Sequence, residues 1–194
     1  MSLTTDAARA ALRARQGAGA RYDAPSAPAE DLLLARRGTA NFARKLGELP
    51  DDCLADPSLQ TGSSRAEVIA TVGYHARALA EVLACLRNGT DHPSVLSVDV
   101  RRAEIALGAT LPARALRSLV QHAAIHLDVE WRDLSDADWD MCVPLSGGAT
   151  ILARATPLLR ARLVWQAALD LGNGGRLADV PAEIAPRLDA SAHS

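Results

Sequence analysis

Apolar positions return every three or four residues along four long stretches of this chain, a period that predicts four amphipathic helices. In the first, Leu32, Ala35, Thr39, Phe42, Leu46 and Leu49 share one face. It starts at Pro28, since proline suits the first helical position, and stops before Pro50. The second is Ser64–Leu86, whose row is Val68, Val72, His75, Leu79, Val82 and Leu86. Ser64 and Glu67 have the S-x-x-E spacing of a capping box, each side chain taking a backbone N–H that the first turn leaves unpaired. Asn88-Gly89 ends it. The third runs from about Pro112 to Leu134, with Leu116, Val120, Ala123 and Leu127 as its buried line. The fourth runs from about Pro157 to Leu171 and stops at Gly172-Asn173-Gly174-Gly175.

Between these stretches the pattern changes. PDDCLADPSLQTG reads as loop, and residues 90–111 read either as a short helix or as partly extended chain. MCVPL and ATILA, on either side of Ser146-Gly147-Gly148, predict a small β-hairpin. The expected fold is all-α: a four-helix bundle with a small β-hairpin between helices three and four, its neighbouring helices antiparallel. Residues 28–175 form the bundle. Residues 1–27 are an appendage, a short Ala/Arg helix followed by a Gly- and Pro-rich linker. Residues 176–194 are a tail with one weak turn around Pro181–Leu188.

Composition narrows the function classes. Aromatic residues are 3% of the 194, so the core is built of Leu, Val, Ile and Ala, which suits helix-on-helix packing. Net charge is −2 with no basic stripe, which argues against nucleic acid as a partner. No apolar run approaches the roughly 20 residues that a bilayer span needs, and the N-terminus lacks the apolar core of a secretory signal. Cys53, Cys85 and Cys142 are odd in number and lack C-x-x-C spacing, which favours a reducing, cytoplasmic setting.

The candidate chemistry centres on His75, the one ionisable member of the second helix's buried row. A lone histidine there is more often a hydrogen-bonded core residue than a metal ligand. His122 and His126 form an H-x-x-x-H pair, a metal-compatible spacing, but they lie at the edge of the third helix's apolar face or beyond it. Arg101, Arg102 and Glu104 read as a solvated charge cluster. Gly172–Gly175 follows a helix, so it is a stop and not a phosphate cradle.

The stretch ELPDDCLADPSLQTGSSRAEVIATVGYHARALAEVL resembles the first two helices of the mycothiol-dependent maleylpyruvate isomerase family, metal-binding bundles of the DinB-like superfamily. RARLVWQAALDLG, Arg160 to Gly172, is similar to that family's fourth-helix signature R-E-V-W-V-H-A-V-D-L-G, and AEIALGATLP and DADWD fit the run between them. The resemblance covers about residues 28–190. It implies a divalent metal, usually zinc, held by a helix-two His and by a Glu and a His four apart on helix four. A low-molecular-weight thiol would be activated at the open metal position and would serve isomerisation or S-transfer. Here the helix-two ligand matches His75, but Leu163 stands where the family has Glu and Ala167 where it has His. Arg162, Asp170 and Leu171 keep the register, while Ser63 replaces an expected Trp after Gly62.

The resemblance therefore implies a bundle that has lost the family metal and carries a small-molecule pocket lined by His75, Leu163, Gln166, Ala167 and Asp170, with Trp165 beside it. Asp170 would accept a hydrogen bond from His75 and raise its pKa. No resident cofactor is expected. An active isomerase or S-transferase would instead need zinc or another divalent metal plus the thiol, on ligands relocated to His75, His122, His126 and Asp170. A homodimer, or a purely structural partner role, completes the expectations.

Overall fold

The computed structural model describes residues 22–91, 98–145 and 149–187. The expected N-terminal Ala/Arg helix, the hairpin tip Ser146-Gly147-Gly148 and the end of the polar tail lie outside these residues.

Helix α1 spans Ala29–Glu48, with Pro28 just before it and Glu30 and Asp31 in the first turn, where carboxylates meet the positive end of the helix dipole. Its row is buried as the period requires: Leu32, Ala35, Phe42, Leu46 and Leu49. Helix α2, Arg65–Asn88, carries the capping box: the Ser64 backbone N–H donates to Glu67 Oε2 at 2.7 Å, and the Glu67 N–H donates to Ser64 Oγ at 3.2 Å. It closes on Gly89 in the left-handed region, φ 63°. Helix α3, Val98–Gly108, settles the segment that the pattern left open. Helix α4 is Ala113–Asp133. Strands β1, Cys142–Pro144, and β2, Thr150–Leu152, pair antiparallel with Val143 opposite Ile151, forming the expected hairpin. Helix α5, Thr156–Asp170, follows with Pro157 in its first turn.

Helix α2 packs chiefly on α4, and α1 chiefly on α5; α2 also meets α5, and α3 lies on α2. Two glycines set the main approaches. A Cβ on Gly38 would lie 2.6 Å from Val164 Cγ2 and 2.7 Å from Trp165 Nε1, and one on Gly73 would lie 2.6 Å from Leu119 Cγ. By contrast α1 and α4 touch only lightly. The fourth side of the bundle is therefore open, and a groove runs along it.

The described parts of the two ends lie against this frame. Asp23 forms a bidentate pair with Arg36, and the Ser26 N–H donates to Asp136 Oδ1 at 2.8 Å. Beyond α5, Val180 and Ile184 are buried. One expectation needs correction. Helix α2 is long and apolar enough to cross a bilayer by length and composition alone, because its alanines, valines and leucines raise the average. Of its most apolar window, 61% is buried inside the bundle, so neighbouring helices cover the apolar surface.

Candidate functional site

The positions named by the sequence come from the facing sides of α2 and α5. On α5, Arg160, Leu163 and Ala167 follow i, i+3, i+7 spacing and so share one face. Arg160 reaches α2, where its Nη1 donates to the Val72 carbonyl at 2.7 Å. It is 1% exposed, and its Nη2 has no hydrogen-bond partner. Burial pulls its pKa down to about 9, which leaves the guanidinium charged at neutral pH.

His75 is half-buried as a residue, but its Nδ1 is closed off and unpartnered. Burial, then the charges of Arg160 and Arg101, hold the imidazole well below its ordinary range. The expected partnership with Asp170 would have moved it the other way. Asp170 instead accepts from Gln166 Nε2 at 2.8 Å, and its carbonyl takes the Leu59 N–H at the end of the helix. The direction is set by desolvation and by neighbouring cations, not by a counter-charge. Arg101 is likewise not a solvated surface group. Helix α3 lies on α2, and Arg101, 20% exposed, pairs with Glu104 at 2.6 Å, leaving Arg102 and Asp99 in solvent.

Leu163 is half-buried and Ala167 buried; neither side chain has a lone pair. Gln166 is half-buried, with its Oε1 enclosed and unpartnered. Trp165 serves packing, its Nε1–H donating to the Leu34 carbonyl at 3.2 Å across the α1–α5 contact. His122 and His126 lie on the exposed side of α4. His122 Nδ1 is 3.4 Å from Ser118 Oγ, and His126 Nε2 is 3.4 Å from Glu130, which Arg87 of α2 also holds. With Tyr74 and Arg77 they line a surface cleft. Among the described residues no three His, Cys, Asp or Glu side chains converge as a metal site, so the relocated ligand set is not assembled there.

A divalent cation does not fit what is present beside His75. One imidazole offers a single donor, Leu163 and Ala167 offer none, and the buried Arg160 guanidinium, whose charge already acts on the imidazole, would repel the ion.

Arg160 is the functional candidate that the sequence reading passed over. The signal was present, since an arginine stood on the Leu163/Ala167 face of a helix, but only packing shows that its long side chain stays inside. It also lines the groove between α1 and α4, a cavity of about 560 Å³ walled by Ala40, Ala43, Ala124 and Ile125.

Comparison with known proteins gives a consistent result. The family model described as the mycothiol maleylpyruvate isomerase N-terminal domain matches residues 35–172. No curated protein matches the chain. Two crystal structures are similar to it, one of the mycothiol-dependent maleylpyruvate isomerase and one of its histidine-to-alanine variant. Each has a TM-score of 0.76 and 37% identity, over 80% of this chain and 65% of theirs. This chain thus accounts for less than two thirds of those proteins' length. Model and structures together place the chain in the family of the mycothiol maleylpyruvate isomerase N-terminal domain.

Proposed function

We propose that this chain is a maleylpyruvate-isomerase-like bundle that has given up the family metal and serves as a small-molecule-binding or regulatory protein. The observation that carries the reading is the charge beside His75. Where a cation would sit, the face of α5 carries leucine and alanine, and Arg160 brings a positive charge of its own. Without a Lewis acid at that point, a bound thiol would lack the ion that lowers its pKa. The bundle still offers an interior polar group and an open cavity, the ordinary material of a ligand site.

Elemental analysis of the purified protein, with thermal unfolding in the presence and absence of chelator, tests this. The expected result is well under one-tenth of an equivalent of zinc or nickel, and an unfolding midpoint unmoved by chelator or added zinc. About one bound equivalent, lost in His75→Ala, would overturn the proposal in favour of an active metal-dependent, thiol-dependent enzyme.

A further inference from the structure

Four arginines line the groove between α1 and α4: Arg36, Arg117, Arg132 and Arg160. Three of them are already neutralised. Arg36 is held by Asp23 and Asp128, Arg132 by Asp128 at 2.5 Å, and Arg117 by Asp51 together with the Leu46 and Leu49 carbonyls. Arg160, the most buried of the four, has no acidic partner among the described residues, and its Nη2 donates to nothing. A buried charge without a counter-ion is costly, and a guanidinium presents paired N–H donors that match a carboxylate. The lining is largely apolar, Ala40, Ala43, Ala124 and Ile125 among it, so a ligand that reaches Arg160 must carry an apolar body.

We propose that the α1–α4 groove binds a small amphipathic monocarboxylate, its carboxylate on Arg160 and its apolar part along Ala40, Ala43, Ala124 and Ile125. The cavity, about 560 Å³, is the size of a single small-molecule site. A second copy of the chain is a poorer occupant, because a helix about 10 Å across does not reach a charge at the floor of such a groove. Arg36, Arg117 and Arg132 are matched by Asp23, Asp128 and Asp51, so the rim offers no unpaired cation to a second anionic group, which favours one carboxylate over two. The site shares Arg160 with the surroundings of His75, but its walls come from α1 and α4 and not from the Leu163 and Ala167 positions that match the family's metal ligands. The inference rests on the ligand-binding reading above but not on the loss of metal.

Calorimetric titration of the full chain with benzoate, 4-phenylbutyrate and octanoate, each against its neutral amide, tests it, with metal content measured on the same sample. At least one acid should bind with one equivalent, and at least tenfold more tightly than its amide. Arg160→Met should abolish that preference. Ala124→Trp keeps Arg160 and fills the groove from the α4 wall, and should weaken acid and amide alike by tenfold or more. Should Arg160→Met not fold by circular dichroism, Ala124→Trp and the acid–amide comparison still decide. Equal affinity for acid and amide, no binding of any acid, undiminished binding in Ala124→Trp, or a dimer by sedimentation that excludes the acids would overturn the site. A metal-loaded protein that still prefers the acid would defeat only the earlier reading.

Discussion

Gly38, Gly47 and Gly73 are one residue type under three sets of forces. At Gly38 a methyl group would meet Val164 and the indole of Trp165, both of them buried, and Trp165 is tied to the Leu34 carbonyl. At Gly73 it would meet the Leu119 side chain, which can rotate. At Gly47 it would meet nothing within 4 Å. Alanine gains up to about 1 kcal/mol over glycine in a helix, whereas overpacking a tight contact costs about 1–3 kcal/mol. Gly38→Ala should therefore lower the urea midpoint, Gly73→Ala should lower it less, and Gly47→Ala should raise it slightly. Equal effects at Gly38 and Gly47 would mean that α1 does not approach α5 as closely as described. The same scale separates what could be read at the site. That Leu163 and Ala167 cannot ligate a metal is visible in their side chains. That Arg160 is enclosed and unpaired depends on what α2 places opposite it.

Among the elements, α2 and α3 mark the range of what local pattern can specify. Helix α2 has cap, period and stop in its own sequence, and each is found in place. Ser64→Ala removes one half of the capping box, and such a loss costs about 1 kcal/mol. A urea titration should show the midpoint falling with the slope unchanged; no change would mean that the Arg65 contacts to the Leu171 and Cys53 carbonyls hold the helix start alone. Helix α3 has 11 residues, fewer than an isolated helix needs to be stable in water. Its formation rests on the surface of α2, where Gly108 comes so close to Tyr74 that a Cβ there would lie 2.3 Å from the ring. No pattern within residues 90–111 contains that information, which is why the local sequence leaves both a short helix and partly extended chain open.

Over the whole molecule, the open side of the bundle is laced by charges rather than by apolar contact. Arg36 joins Asp23 of the N-terminal segment to Asp128 of α4. The hydrogen bond from Arg36, foremost, holds the Asp23 carboxyl below its usual range. A carboxylate with a depressed folded-state pKa stabilises the fold above its unfolded value, near 3.8, and that contribution is lost as pH falls through the folded value. Asp23→Asn should therefore cost about 1 kcal/mol at pH 7, as for a partly exposed ion pair, and almost nothing well below pH 3.8. Thermal unfolding of both proteins across that range checks it; a gap that stays constant into acid would dissociate Asp23 from the stability of this edge.

Local sequence by itself determined which stretches become helices, where α2 begins and ends, that a hairpin precedes α5, and that Leu163 and Ala167 supply no metal donor. These follow from period, caps and side-chain chemistry, which act within a few residues. Tertiary structure alone decided that α1 and α4 stand apart, that α3 carries Arg101 toward His75, that Asp170 turns to Gln166, and that Arg160 is buried without a counter-charge. Each of these depends on groups brought together from distant parts of the chain, and burial and electrostatic fields arise only once those groups meet.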